Sequence, residues 1–217
     1  MSWLTRTLSS SSGRKLLAAV TGLGLVMFLV IHLLGNLQIF SESNAFNDYA
    51  KALHGGPLII LGDVGLMIMF PLHMAMVIWL AMDNAKARGG VGYRKHGTKQ
   101  ARGLAAVLAS KSTLYGGLVL IAFTVIHVWQ FRLHHHEIGY DVRGAVVETL
   151  SNPGWGALYI IGSLVTGWHL VHGVQAAFRS VGVNHPRYTP FIVKVGIGLA
   201  ALVGLGFASI PAWILLG

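Results

Sequence analysis

The stretch Val165–Gln175, VTGWHLVHGVQ, sets two imidazoles, His169 and His172, three residues apart inside an uncharged run that extends from about Trp155 to Phe178. A run of that length is enough to cross a bilayer as a helix, which needs roughly 20 residues. An imidazole at that depth costs free energy unless something engages it. The segment therefore reads as a membrane span whose histidines hold something.

Working outward, four further spans have the same character: about Leu16–Leu37, Leu58–Met82, Ser112–Phe131 and Phe191–Leu216. All five read as helices, because an isolated strand leaves its backbone unsatisfied in lipid. The first is too long for a cleaved signal peptide and lacks a small-residue cleavage site after it. The composition agrees with this all-α reading: 54% of the 217 residues are hydrophobic and 11% charged, where soluble domains carry about 25% charged residues. What is polar is too little for a separate soluble domain.

The charges alternate across the spans. Arg6, Arg14 and Lys15 precede the first. Lys86, Arg88, Arg94, Lys95, Lys99, Arg102 and Lys111 lie between the second and third. Arg179, Arg187 and Lys194 lie between the fourth and fifth or just into it. The opposite side has only Lys51, Arg132 and Arg143. The positive-inside rule puts the N-terminus in the cytoplasm. The formal charge of +9 is then a topology signal, not a nucleic-acid site. The loops SESNAFNDYAKALHGG and HHHEIGYDVRGAVVETLSNPG fall on the outer side, where short interfacial helices are expected. TGLGLV and GVGYRKHG lack the glycine spacing and preceding strand of a nucleotide fingerprint.

The chain has no cysteine and eleven histidines. Disulfides, thiolate-held iron–sulfur clusters and covalent haem attachment are excluded within it. Heights along the spans, at ~1.5 Å per residue, group four histidines in two layers. His32 and His127 lie ~25 Å from the inner edge, and His73 and His169 ~15 Å, so the layers are expected ~10 Å apart. Each pair comes from two helices at one level. That is the demand of a six-coordinate haem, gripped by imidazoles from both faces. Zinc suits the pattern less, since it wants four ligands in one place. His172 lies about one turn nearer the inner edge than His169, so ligation is assigned to His169 and a propionate contact or an interfacial position to His172. His54, at the outer mouth, reads either as a contact to a propionate or quinone or as an ordinary interfacial histidine. His134, His135 and His136 read as a solvated loop, and His96 and His185 as exposed. Glycines on the first, third and fourth spans read either as helix-packing positions or as room for a flat ligand.

VIHLLGNL in the first span, FPLHMAMVIWLAMDNAKARGGVGY from the second, TVIHVWQFR in the third and GWHLVHGVQAAFRSVG in the fourth together carry a resemblance over nearly the whole chain. The sequence resembles the five-helix dihaem cytochrome b (b558-type) membrane-anchor subunit of succinate:quinone oxidoreductases and fumarate reductases. The resemblance implies a single cytochrome b domain over residues 1–217, its first four transmembrane helices forming a haem-binding four-helix bundle. It implies two b haems with axial ligands matching His32, His73, His127 and His169. It also implies flavoprotein and iron–sulfur partner subunits on the cytoplasmic face of the inner membrane, and menaquinone or another quinone as substrate near the outer haem. An acidic residue early in the second helix serves quinone in relatives, and Asp63 is the nearest match, though the local pattern needs a gap; an interfacial aspartate that caps or snorkels is the other reading. The loops are too short for a flavin or dicarboxylate site, so the chain is not expected to oxidise succinate alone. Two other readings stand beside this one: a cytochrome b subunit of another quinone-linked enzyme such as a hydrogenase or formate dehydrogenase, and a haem-free transporter.

Overall fold

The computed structural model describes residues 6, 10–41, 44–54, 56–87, 104–133 and 141–217. Among them there is no strand. Seven helices follow one another: α1 Ser11–Asn36, α2 Ala45–His54, α3 Pro57–Ala87, α4 Leu104–His127, α5 Val142–Ser151, α6 Pro153–Ser180 and α7 Thr189–Leu216. A 3-10 turn, Leu37–Phe40, prolongs α1, and a π-turn, Val128–Leu133, prolongs α4. The five helices α1, α3, α4, α6 and α7 are long and apolar enough to cross a membrane, as a multi-pass membrane protein requires. His96 and His134–His136 lie outside the described residues. So do most of the basic residues between the second and third spans.

The helices overrun the apolar runs at most ends because caps and interfacial residues extend them. Ser10 Oγ accepts from the Gly13 N–H at 3.0 Å, which lets α1 begin five residues before Leu16. Asn152 Oδ1 accepts from the Gly154 and Trp155 N–H groups at 2.9 and 3.3 Å, with Pro153 at the first helical position; a side-chain oxygen and a proline are the usual partners of orphan donors there. α6 ends at Ser180, and beyond its cap Gly182, with a φ of +91°, allows the Val183 N–H to reach back to the Phe178 carbonyl at 2.9 Å.

α1 and α6 form the centre. α3 packs along α1, α4 along α6, and α7 along α6 with a lesser contact to α1. The contacts thus run α3–α1–α6–α4, an arc with α7 behind it, and α3 and α4 share no extended packing. No described side chain of α3 or α4 is fully buried, whereas α6 buries Tyr159, Ser163, Leu170, Val174, Gln175 and Ala177. At the α6–α7 seam Leu170, Val174, Ala200 and Val203 form one core. A Cβ added at Gly167 would stand 2.8 Å from the Ala200 carbonyl and 2.9 Å from Gly204 Cα, so the two backbones meet directly.

The short helices α2 and α5 lie in the two loops where they were expected. They join each other through Asn47, whose Nδ2 donates to Asp141 Oδ1 at 3.1 Å and whose Oδ1 accepts from the Arg143 N–H at 2.9 Å. Phe46, Val146 and Leu150 then pack with Ile39, Tyr159 and Ile210, capping the end of the bundle opposite the start of α1.

Candidate histidine-pair site

His32 on α1 and His127 at the end of α4 are brought together: their ring centroids are 5.8 Å apart and the planes stand at 79°. Aromatic rings box them in. Phe28 stacks on His32 at 5.1 Å and Phe207 of α7 lies at 5.5 Å. Phe123, Phe131 and Tyr159 lie 6.1, 5.6 and 5.9 Å from His127. Both imidazoles are deeply surrounded by protein yet keep some accessible surface. Phe28 and Phe123 sit one turn before each histidine on the same helix face, as i, i+4 spacing demands.

His73 and His169 occupy the second level. His73 Nδ1 donates to the Ala18 carbonyl of α1 at 3.0 Å, with Thr21 Oγ1 at 3.4 Å. A carbonyl only accepts, so Nδ1 carries the proton and Nε2 keeps its lone pair. His169 has His73 and His172 within electrostatic reach. The Thr113 carbonyl approaches the His169 ring, but Nδ1 of that ring is buried without an aligned hydrogen bond. Glycines on the neighbouring helices make room for both rings. A Cβ at Gly22 would stand 3.0 Å from His73 Cε1, and one at Gly117 would stand 3.6 Å from His169 Cε1.

These contacts fix where the second level meets the neighbouring helices. The His73 ring lies against Gly22, ten residues before His32; the His169 ring lies against Gly117, ten residues before His127. On both helices the contact point lies ten residues, about 15 Å of helical rise, before the outer histidine's Cα, and the His32 and His127 rings lean back one turn onto Phe28 and Phe123, which shortens the spacing between the rings themselves.

His172 is half-buried, with Arg179 within electrostatic reach. The backbone of His54 closes α2, while its side chain lies outside the described residues. His185 is exposed and accepts from the Arg187 N–H at 3.2 Å. Asp63, near the start of α3, pairs with Arg132 in the π-turn of α4, Oδ2 to Nη2 at 2.5 Å. That pair bridges the open side of the arc. At the other end Asp83 of α3 pairs with Arg14 of α1, whose guanidinium lies 4.4 Å above the Trp79 ring. Sequence reasoning missed Tyr159 and Gln130. Tyr159 Oη donates to Gln130 Oε1 at 2.7 Å and lies 3.5 Å from His127 Nδ1. The available signal was a glutamine three residues after His127, polar within an apolar span.

The His32–His127 centroid separation of 5.8 Å is compatible with two imidazoles on one metal at about 2 Å each, and it is also the separation of an ordinary edge-to-face ring contact. At the second level, the committed Nδ1 of His73, the His169 Nδ1 without an aligned hydrogen bond and the glycine at each ring fit a ligand held between them. Among the described residues no three His, Asp or Glu side chains converge on one point; the arrangement is one of pairs.

What the fold and site define is an all-helical chain with five helices able to span a membrane and two levels of histidines drawn from four of them. The chain matches no protein-family model, no curated protein and no solved structure.

Proposed function

We propose that this chain is the dihaem cytochrome b anchor subunit of a succinate dehydrogenase or fumarate reductase. His32 and His127 would hold one b haem, and His73 and His169 the other. The nearness of the His32 and His127 rings, drawn from two helices and 5.8 Å apart inside an aromatic box, is the observation that carries the reading. When bound, the haems supply one-electron transfer between a partner iron–sulfur subunit and membrane quinone.

The chain's own residues do the rest. His73, its proton held by the Ala18 carbonyl, would keep the Nε2 lone pair for the iron, the second-contact arrangement common to metal-binding histidines. Phe28, Phe123, Phe131 and Phe207 exclude water around the first pair and fix both rings. The Asp63–Arg132 pair lies at the same end as His32 and His127, where quinone is proposed to react. The excess of Lys and Arg on the loops beside the starts of α1, α4 and α7 orients the N-terminus to the cytoplasm and offers a docking face for the flavoprotein and iron–sulfur subunits.

A pyridine haemochrome assay on the purified chain tests the reading. Two haems b per chain are expected; none would overturn it.

A further inference from the structure

We infer that Tyr159 is a positioning residue for His127, acting through its hydroxyl. The inference rests on the haem reading above and deepens it at one site. Tyr159 of α6 is 8% exposed and belongs to the core cluster under the α2–α5 cap. Its ring meets Phe123 at 5.2 Å and Phe131 at 5.8 Å. Packing alone would be served by phenylalanine, so the hydroxyl needs its own account.

That hydroxyl has one hydrogen, and the Gln130 side chain takes it: Oη to Oε1 is 2.7 Å. The oxygen then has only lone pairs to offer His127 Nδ1, which lies 3.5 Å away, longer than the ~2.7–3.2 Å usual for an N–H···O bond, so the contact is a weak one. The direction of the chain follows. His127 Nδ1–H donates to Tyr159, and Tyr159 donates to Gln130. A neutral imidazole protonated at Nδ1 keeps the lone pair on Nε2. His73 reaches the same state through the Ala18 carbonyl. The two levels therefore use different acceptors for the same purpose, a backbone carbonyl in one and a phenol in the other.

The local structure is built around this contact. Phe123 and His127 share one face of α4 at i, i+4 spacing, and the π-turn that carries Gln130 and Phe131 begins immediately after His127; such turns recur at functional positions. Gly162 lies one turn after Tyr159, and a Cβ there would stand 2.6 Å from the Phe123 ring. Glycine lets α4 and α6 close far enough for the phenol to reach the imidazole.

The test uses the full chain with haem bound. Tyr159→Phe keeps the ring and removes the oxygen. Two haems per chain should remain, and one of the two midpoint potentials should rise, because an acceptor at Nδ1 makes the imidazole a more basic ligand. The low-spin electron paramagnetic resonance signal that titrates with that potential should shift too. Gln130→Leu should move the same potential in the same direction, and the double variant should move it no further than the larger single change. Loss of one haem with an unchanged apoprotein melting temperature also supports the inference. Unmoved potentials, equal shifts in both, or a lowered apoprotein melting temperature overturn it. A wild-type chain without haem sinks the function reading, and this inference with it.

Discussion

Asp63 and Arg132 form a two-point ion pair, Nη2 to Oδ2 at 2.5 Å and Nε to Oδ1 at 3.4 Å, between helices that share no extended packing. The opposite end of α3 is tied to α1 by Arg14 and Asp83. The flanking helix of the arc is thus pinned by charge at both ends. The Asp63 and Arg132 side chains are 31% and 48% exposed, so screening limits the pair to about 1 kcal/mol or less. Asp63→Asn and Arg132→Gln should each lower stability by that amount. The double variant should lose little more than either, and high salt should shrink the difference. Unfolding in detergent, run as a double-mutant cycle, measures the coupling; additive losses would show that the pair does not act as a unit.

The α2–α5 cap should loosen in acid. The Gly144 N–H donates to the Asp141 carboxylate, and Asn47 Nδ2 adds a second bond; together they hold that carboxyl below its ordinary value of 3.8. A group whose folded pKa is depressed stabilises the fold above its unfolded pKa, and that contribution is lost as pH falls through the folded value. The cap should therefore be intact from pH 5 upward and lose protection below about pH 4. Hydrogen exchange at the Gly144 and Arg143 amides should report it. In Asp141→Asn the pH dependence should vanish.

The spans and the pairing of histidines were legible because hydropathy and helical rise are local quantities. Leu58–Met82 is apolar whatever it packs against, and His32 and His127 have similar offsets from Lys15 and Lys111. Which residues of neighbouring helices meet the second level was not legible, because it depends on how antiparallel helices slide past each other. That slide is set by contacts such as Gly22 with His73 and Gly24 with Met69, which sequence order does not reveal. Tyr159 stayed hidden for a similar reason: it lies thirty-two residues from His127 and looks like any tyrosine in a span. The meaning of the glycines also needed the structure. Gly167 serves α6–α7 packing, whereas Gly22 and Gly117 face histidine rings.

Gly167 and Gly204 should tolerate no side chain. Each lies within about van der Waals contact of the other helix's backbone, with 2.9 Å from a Gly167 Cβ to Gly204 Cα and 3.0 Å in reverse. A backbone cannot rotate away as a side chain can, so α6 and α7 would have to part. Gly167→Val should cost about 1–3 kcal/mol, the usual range for overpacking, while Gly198→Val, which meets nothing within 4 Å, should be near neutral. Thermal unfolding of the two variants side by side checks the contrast.

The assignment on α6 separates His169 from His172. His169 has a buried Nδ1 without an aligned hydrogen bond and a glycine facing its ring, while His172 lies nearer Arg179. On the haem reading His169→Ala should leave one haem per chain, with the spectrum of the His32–His127 site intact. His172→Ala should retain two. Haem stoichiometry with low-temperature optical spectra decides it; the reverse pattern would move ligation to His172.

The contact of Gly22 with His73 makes the sharpest distinction between a packing glycine and a site glycine. A Cβ at Gly22 would stand 3.0 Å from His73 Cε1 and 3.3 Å from Nδ1, and that same Nδ1 is bonded to Ala18 four residues earlier on α1. Gly22→Ala forces the ring to give by a few tenths of an ångström, and Gly22→Val by more. Neither touches the α6–α7 seam. The apoprotein should keep its melting temperature in both variants. On the haem reading the site at His73 and His169 should weaken progressively from Gly to Ala to Val while the other stays full. The haem-to-protein ratio would then fall from two toward one. A fall in melting temperature with haem content unchanged would instead make Gly22 a packing position like Gly167, with His73 free to shift along α1 without consequence.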